Sequence, residues 1–300
     1  MDARRLDLLD PMEVAQLGDL EFQARGVVEG FLAGSHRSPF RGFSVEFAEH
    51  RPYQPGDDLR YLDWKGYARA DRATIKQFES ETNLRAMLLL DTSASMAWSG
   101  APHRLTKLAY AQRLAAALGL VLLSQRDATG LIAFDDAVRV LLPARARTRQ
   151  RWALLAALSR LVPGHGTAAG QALERVTDLL RRRGLVVLIS DLLFDRTLAM
   201  RLLQYLRHRG HQVLVFHIMD PAERDLGGPP EARFEDLESG RSVVVRPREF
   251  RAAYGAAVEA AIGAWRSACR RNGIGYAHVT TDMPFGVALR HALARRTRLG

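Results

Sequence analysis

Short, continuous apolar runs alternate along the chain with longer segments in which apolar residues recur at helical spacing. A short apolar run is typical of a buried parallel strand, and the longer pattern is typical of a helix that covers a sheet. The runs predict strands at Ala86 to Leu90, Thr129 to Phe134, Val138 to Leu142, Leu185 to Ile189, Gln212 to Ile218 and Tyr276 to Thr280. The helical pattern covers Leu105 to Leu123, 148 to 161, 168 to 183, 197 to 209, Pro247 to Asn272 and Pro284 to Arg296. Strands separated by helices predict an α/β domain with a mostly parallel central sheet.

Turn-forming residues predict two hairpins within this domain. Asp135 and Asp136 separate two of the apolar runs, and aspartates at such a position favour a tight turn. The segments Ala232 to Leu237 and Ser242 to Val245 flank a polar stretch that contains Gly240. This second pattern predicts a hairpin at an edge of the sheet.

The first part of the chain follows a different pattern. Residues 12 to 33 have helical character, while Phe43 to Phe47 and Ala73 to Phe78 alternate in polarity and are predicted to pair as antiparallel strands. We therefore expect an N-terminal appendage over residues 1 to 80 and one α/β domain over residues 81 to 300. A chain of 300 residues with 47% hydrophobic content is long enough to bury a sizeable core.

Polar side chains follow three of the predicted elements where parallel strands would open a crevice. Asp91, Ser93 and Ser95 come directly after an apolar strand, Thr167 precedes a helix, and Asp191 closes a second strand. Ligands of open α/β sheets bind beyond the carboxyl ends of the strands, so these side chains are expected to converge. Carboxylates and hydroxyls are the all-oxygen ligands that Mg²⁺ prefers, with Mn²⁺ or Ca²⁺ as alternatives.

Each of these residues also has an ordinary structural interpretation. Ser93 or Ser95 could cap the following turn, Asp91 could accept backbone N–H groups, and Thr167 could be a helix N-cap. Their joint occurrence in this order favours a metal site. Because hydroxyls are neutral ligands, a bound ion would keep part of its charge and would attract a carboxylate from a partner.

The same order of motifs resembles the metal-ion-dependent adhesion site of von Willebrand factor A domains. The pattern DxSxS falls on Asp91, Ser93 and Ser95, the Gly-Thr pair ends at Thr167, and the strand-closing acid is Asp191. The resemblance implies a Rossmann-like, three-layer domain with a mostly parallel central sheet flanked by helices. It also implies that these five residues hold the divalent cation.

A charged and aromatic signature precedes the proposed domain, in Glu46 to Arg60, Asp63 to Arg69 and Lys76 to Glu79. It is similar to the domain of unknown function 58 family, whose members carry such a signature before a von Willebrand A-like domain. These members are typically encoded beside MoxR-type AAA+ ATPases. Dense mixed charge beside aromatic rings favours a structural, ion-paired role, with a partner surface as the alternative. The residues concerned are Tyr53, Asp57, Asp58, Arg60, Asp63, Trp64 and Arg69.

The function that these patterns predict is a metal-dependent protein-binding module. We expect an adaptor or assembly factor that acts with a MoxR-type AAA+ ATPase on a client protein. Two alternatives of other classes stay open: a Mg²⁺-dependent phosphoryl hydrolase that uses Asp91, and a basic protein that binds nucleic acid.

The net charge of +10 is the reason to consider nucleic acid at all. Arginines cluster at 145 to 151, at 181 to 183 and at 295 to 298. However, Arg181 to Arg183 end a helical pattern just before Gly184, where cations complement the helix dipole. We therefore interpret the arginine clusters as solvated faces, and nucleic acid is the less favoured partner.

Missing sequence motifs indicate the cellular compartment and argue against several enzyme classes. The N-terminus has no apolar segment of signal-peptide type, Cys269 is the lone cysteine, and the longest apolar stretches fall short of the ~20 residues that span a bilayer. We expect a cytoplasmic protein, with a peripheral place at the inner membrane left open. No GxSxG, Walker A or HExxH motif occurs, and Ser93 replaces the second acid of the phosphatase pattern hhhDxDxT, so no enzyme is predicted.

Overall fold

Ten strands form in the part of the chain that the computed structural model describes, which comprises residues 46–54, 62–64, 67, 73–79, 84–164, 169–226, 229–236 and 240–289. In chain order they are β1 (Glu46–Pro52), β2 (Thr74–Glu79), β3 (Arg85–Asp91), β4 (Ala128–Phe134), β5 (Val138–Arg145), β6 (Leu185–Ser190), β7 (Gln212–Met219), β8 (Ala232–Glu235), β9 (Ser242–Val245) and β10 (Gly275–Thr280). Six of them make one sheet in the order β10-β7-β6-β3-β4-β5. All neighbours in that sheet are parallel except β4 and β5.

The central strands are apolar because both faces of the sheet are covered. Every residue of β6 is buried, and in β3 the last four residues are buried. In the register of the sheet, Leu88 lies between Leu131 of β4 and Val187 of β6. The structure therefore confirms a mixed α/β fold with a mostly parallel central sheet flanked by helices.

Five α-helices connect the strands within the described residues. They are α1 (Lys107–Ser124), α2 (Gln150–Ser159), α3 (Ala169–Leu179), α4 (Arg196–His208) and α5 (Pro247–Arg271). Thr106 caps α1 by accepting a hydrogen bond from the Ala109 N–H at 3.1 Å, and Asp195 caps α4 in the same way. Helix α1 begins at Lys107, two residues later than the sequence predicts.

The helices cover the two faces of the sheet. Leu89 of β3 belongs to a core that includes Leu173 of α3, Leu203 of α4 and Trp265 of α5. Leu88 points to the opposite face, where α1 packs closely against α2. A Cβ at Gly119 would lie only 2.3 Å from Leu154 Cδ2, so this approach requires glycine.

Helix α1 also meets the length and composition that a membrane span requires. Its most apolar window is 72% buried inside the fold, and a core helix of this kind passes the same test. The helix packs on β3 and β4 as the central helix of one layer, so its hydropathy is weak support for a span.

The second predicted hairpin is found, but its place was predicted wrongly. Strands β8 and β9 pair with each other in antiparallel register, Phe234 opposite Val243, and form a separate two-stranded sheet. The apolar pattern identifies such a pair but carries no information about attachment to a larger sheet. The edge beside β4 is instead formed by β5, which exposes Arg139, Pro143 and Arg145 to solvent.

Some predicted boundaries also differ from the observed ones. Helix α3 ends at Leu179 instead of continuing to residue 183. The arginines at 181 to 183 lie outside the helix, because the chain must be extended there to enter β6. Gly184 makes this entry possible, since an added Cβ would lie 2.0 Å from the Arg85 carbonyl oxygen. The last predicted helix is seen from residue 285 to 289, and its continuation lies outside the described residues.

Strands β1 and β2 form a two-stranded antiparallel sheet, as their alternating polarity predicts. Strand β1 lies a few residues later than predicted and β2 one residue later, with Pro52 opposite Thr74. Among the described residues, this pair falls in one compact unit that ends at Leu84, and the α/β unit begins at Arg85. The helix predicted over residues 12 to 33 lies outside the described residues, and the division at residue 80 stays a prediction.

Candidate functional site

Two adjacent parallel strands bring the predicted acids to one edge of the sheet. Asp91 is the last residue of β3, and Asp191 directly follows β6, which pairs with β3. Both side chains are buried, with 0% and 3% of their surface exposed. The loop after β3 continues through Ser93 into a short 3₁₀ turn, Ala94–Ala97, that contains Ser95. Four of the five predicted metal ligands therefore lie at the carboxyl edge of the sheet.

The Asp91 carboxylate is held by two hydrogen bonds from its own surroundings. Its Oδ1 accepts from the Ser93 backbone N–H at 2.9 Å, and its Oδ2 accepts from Ser190 Oγ at 2.6 Å. Burial, followed by repulsion from Asp191, raises the pKa of the Asp91 carboxyl to about 7. The two buried carboxylates therefore lie close enough to repel each other, which favours the protonated form of Asp91.

The two serine hydroxyls converge beside this carboxylate. Ser93 Oγ and Ser95 Oγ lie 3.2 Å apart, and both side chains are buried. Ser93 occupies the N-cap position of the 3₁₀ turn, but its side chain makes no capping hydrogen bond. The ordinary interpretation of Ser93 as a capping residue is therefore not what the structure shows.

A buried lysine accompanies Asp191 and was not predicted. Lys107 Nζ donates to Asp191 Oδ2 at 2.7 Å and to Glu223 Oε1 at 2.6 Å, and 1% of the lysine side chain is exposed. Burial alone lowers the pKa of an ammonium, but the two carboxylates outweigh it and raise the pKa of Lys107 above its ordinary value. Lys107 therefore stays protonated and partly neutralises the charge of Asp191.

Asp220 connects this cluster to the neighbouring loops. Its fully buried carboxylate accepts hydrogen bonds from Arg104 Nη1 at 2.6 Å, from the Gly100 N–H at 3.2 Å and from Thr281 Oγ1 at 3.0 Å. Its backbone N–H donates to Glu223 Oε2 at 2.8 Å, which completes a capping box. The loops after β3, β7 and β10 are thus joined around one carboxylate.

The segment that leads toward Thr167 is fixed beside the site. The Gly164 N–H donates to the Thr92 carbonyl at 2.6 Å, one residue after Asp91. A Cβ on Gly164 would lie 1.9 Å from Asp135 Oδ2, so only glycine fits there. Thr167 itself and His165 lie outside the described residues, and Thr167 stays a predicted ligand.

The described side chains offer a donor set that suits a hard divalent cation. One carboxylate and two hydroxyls converge, and a second carboxylate lies near enough to raise the pKa of the first. No group of three His, Cys, Asp or Glu side chains that could hold a metal occurs among the residues that the structure describes. Oxygen donors of this kind are those that Mg²⁺ prefers, whereas Zn²⁺ sites in proteins are built mainly from Cys and His.

Histidine and tyrosine side chains pack below the site on β7 and β10. His217 Nδ1 lies 2.6 Å from the Tyr276 hydroxyl, and the His217 and His278 rings are 5.3 Å apart. Burial, together with the neighbouring His278, lowers the pKa of His217 to about 3. These rings are neutral at physiological pH and serve as packing.

The candidate partner surface in the N-terminal signature is only partly described. Trp64 exposes 60% of its surface, while Tyr53 and Asp63 are partly buried. The Tyr53 N–H donates to the Ala73 carbonyl, and the Asp63 N–H donates to Thr74. The other residues predicted for this surface, Asp57, Asp58, Arg60 and Arg69, lie outside the described residues.

Four residues of the site escaped the sequence analysis, although three of them carried a signal. Ser190 precedes Asp191 at the end of an apolar strand, and the order Asp220-Pro-Ala-Glu223 is a capping-box pattern with proline at its first position. Lys107 carried no such signal, because a lysine in the first turn of a helix is ordinarily solvated.

The fold and the site together define an α/β protein with a mostly parallel sheet and a buried, acidic and hydroxyl-bearing site at the carboxyl edge. Residues 49–262 match the family described as protein of unknown function DUF58. The chain belongs to this family.

Relatives and similar structures were found over most of the chain. The uncharacterized protein Rv1480 of Mycobacterium tuberculosis is 30% identical over 239 residues, which are 79% of this chain and 74% of that protein. The crystal structure of the conserved hypothetical protein BatB from Bacteroides thetaiotaomicron covers 72% of this chain and 99% of its own, at 18% identity and a TM-score of 0.47. An aerotolerance-related membrane protein from Bacteroides fragilis covers 71% of this chain and 99% of its own, at 18% identity and a TM-score of 0.44.

Proposed function

We propose that this chain is a von Willebrand A-like protein-binding module that captures a carboxylate of a partner through a divalent cation. The observation that carries the proposal is the convergence of Ser93 Oγ and Ser95 Oγ, 3.2 Å apart, next to the oriented carboxylate of Asp91. These groups lie at the carboxyl edge of a parallel sheet, where ligands of such sheets bind. Thr167 is proposed as a third hydroxyl ligand.

Each residue of the site has a distinct role in the proposed binding of the cation. Asp91 is oriented by Ser190 and by the Ser93 N–H, so that its free lone pairs can hold the cation. Lys107 takes up part of the charge of Asp191, which suits Asp191 to an outer position in which it acts through water. When bound, a divalent cation supplies a Lewis acid whose charge is incompletely neutralised by neutral hydroxyls. A carboxylate from a partner would complete that neutralisation.

Apolar side chains flank the proposed site and suit contact with a protein. Leu193, two residues after Asp191, exposes 59% of its surface, and Val162, two residues before Gly164, exposes 74%. Exposed apolar residues beside a polar centre are typical of protein-binding surfaces. They support a partner that is a polypeptide with an acidic side chain between apolar neighbours.

The partner class follows from the family. Members of the family are typically encoded beside MoxR-type AAA+ ATPases, and this chain contains no Walker A motif of its own. We propose that it acts as an adaptor or assembly factor that presents a client protein to such an ATPase. ATP hydrolysis would then belong to the partner.

Partner capture with and without metal tests the proposal. The intact chain is incubated with lysate of its native host in Mg²⁺ and then in excess chelator, and isothermal titration calorimetry measures Mg²⁺ binding directly. Asp91→Ala is expected to abolish both readouts. Asp136→Ala removes a carboxylate that is 42% exposed at the turn between β4 and β5 and is the matched control. Equal capture in chelator, or by folded Asp91→Ala, would contradict the cation bridge.

A further inference from the structure

A cavity of about 190 Å³ opens at the amino ends of β3 and β6, at the edge of the sheet opposite Asp91. Met87, Leu180 and Val186 form part of its apolar wall. At about 30 Å³ for each water molecule in the liquid, the cavity has room for roughly six waters. It is therefore large enough for a small ion or for one end of a longer ligand.

The cavity is lined by arginines and by no acidic residue. Arg85, Arg181 and Arg182 all contribute to its wall. No ion pair joins any of these three guanidinium groups to an acid in the described part of the chain. Arg181 and Arg182 follow the end of α3, where a cation complements the helix dipole, but each guanidinium still has five N–H donors. The wall thus presents unused donors with positive charge.

The buried side chain of His211 also contributes to the lining of this cavity. His211 exposes 2% of its surface, and its Nε2 lies 3.2 Å from the Leu180 carbonyl oxygen. Because a carbonyl only accepts, Nε2 carries the proton and Nδ1 is left with a lone pair. Burial lowers the pKa of His211, which is consistent with the neutral ring. Nδ1 is buried and receives no hydrogen bond from the protein.

We propose that this cavity binds a phosphoryl group that still carries a hydroxyl, as inorganic phosphate does at neutral pH. The arginines would bind the anionic oxygens, and the hydroxyl would donate to His211 Nδ1. A sulfate ion has the same shape but no hydroxyl at neutral pH, so it would satisfy the arginines and leave Nδ1 unpaired. The site lies at the opposite edge of the sheet from Asp91 and does not depend on the proposed cation.

Calorimetry on the full chain in the presence of chelator tests this site apart from any metal. Inorganic phosphate is the probe, sulfate at equal ionic strength is the competitor, and AMP tests whether an esterified phosphate is also accepted. Loss of charge-assisted hydrogen bonds in Arg181→Ala/Arg182→Ala is expected to weaken phosphate binding by about tenfold or more. Arg147→Ala/Arg149→Ala removes two exposed arginines elsewhere and is expected to bind as the parent does.

A spectroscopic readout separates a built site from a general attraction of anions. Phosphate is expected to shift the ¹⁵N resonance of His211 Nδ1 in long-range ¹H–¹⁵N spectra, and sulfate is expected to bind about tenfold more weakly because Nδ1 stays unpaired. Equal affinity for the two ions, equal weakening in both double variants, or an unmoved Nδ1 resonance would each overturn the proposal. The phosphate of AMP is mostly a dianion without a hydroxyl at neutral pH, so tight binding of AMP would contradict the role of the hydroxyl, and its absence would assign the site to the free ion.

Discussion

Lys107 Nζ lies 2.7 Å from Asp191 Oδ2, and both side chains are buried at the carboxyl edge of the sheet. The same ammonium reaches Glu223, so one internal cation compensates two acids. A buried ion pair gains little net stability, but removal of one partner leaves the other charge unpaired at high cost. Lys107 therefore controls both the stability of this edge and the charge that a divalent cation would meet there.

Lys107→Met is expected to destabilise the chain by about 3 to 5 kcal/mol, because Asp191 and Glu223 lose their counter-charge. Urea unfolding followed by circular dichroism measures this loss. The unpaired charge of Asp191 should also attract Mg²⁺ more strongly, so Mg²⁺ is expected to stabilise the variant more than the parent. If Mg²⁺ stabilised the variant and the parent equally, the charge of Asp191 would not contribute to binding of the cation.

Ser190→Ala removes the donor that orients Asp91 Oδ2. The loss of a hydrogen bond to a charged group is expected to cost about 1.5 to 3 kcal/mol of stability. Mg²⁺ affinity, measured by calorimetry, should fall roughly 10- to 100-fold, as it does when a group that orients a ligand is removed. Ser124→Ala is the control, since Ser124 Oγ donates only to the Val121 carbonyl within α1. Unchanged Mg²⁺ affinity in Ser190→Ala would show that this hydrogen bond does not prepare Asp91 for a cation.

Two glycine substitutions test the close approach of the loop before Thr167. A Cβ at Gly164 would lie 1.9 Å from Asp135 Oδ2, so Gly164→Ala is expected to destabilise the chain by about 1 to 3 kcal/mol. Gly263 lies within α5 with nothing within 4 Å of an added Cβ, and Gly263→Ala is expected to stabilise by about 0.5 to 1 kcal/mol. Thermal unfolding measures both. A Gly164→Ala variant at least as stable as the parent would refute the tight contact at Gly164.

The buried histidines predict a loss of stability in mild acid. Burial, followed by repulsion from Arg224 and Arg266, lowers the pKa of His278 from 6.5 to about 4. Between those values the unfolded chain binds more protons than the folded chain, so stability decreases as the pH falls from about 6.5 toward 4. The expected contribution is about 1 to 3 kcal/mol.

Chemical unfolding at a series of pH values measures this slope, and His278→Gln is expected to reduce it. His217 adds to the same slope, since its pKa of about 3 also lies below the ordinary value. The Gln variant leaves His217 in place, but Asp91, whose pKa is raised to about 7, contributes a slope of the opposite sign, so only a small slope is expected to remain. A variant with the full slope of the parent would show that His278 is not the group that titrates.

The sequence predicted most of the sheet because its signal is strong where burial is complete. Strand β6 is apolar at all but its last position, and the periodicity of α4 places its bounds within one residue. The end of α3 was predicted too late, because the path of the chain into β6 depends on the close approach of Gly184 to the backbone of Arg85, from a distant part of the chain. Distant packing of this kind leaves no local pattern.

The candidate site was predictable only in part for a related reason. Asp91 and Asp191 were found because they end apolar strands, and strand ends meet at one edge. Lys107 was missed because its burial results from the placement of Glu223, which belongs to a loop after β7. The residue type at a single position does not reveal that a charged side chain is buried.

The edge strand β5 affects whether copies of this chain associate through their sheets at high protein concentration. Pro143 has no backbone N–H to offer a further strand, and the exposed Arg145 carries positive charge at the same edge. Strand addition at this edge would lose a hydrogen bond and bring like charges together. Extension of the sheet by a second copy at β5 is therefore disfavoured, so the chain is protected from aggregation at this edge.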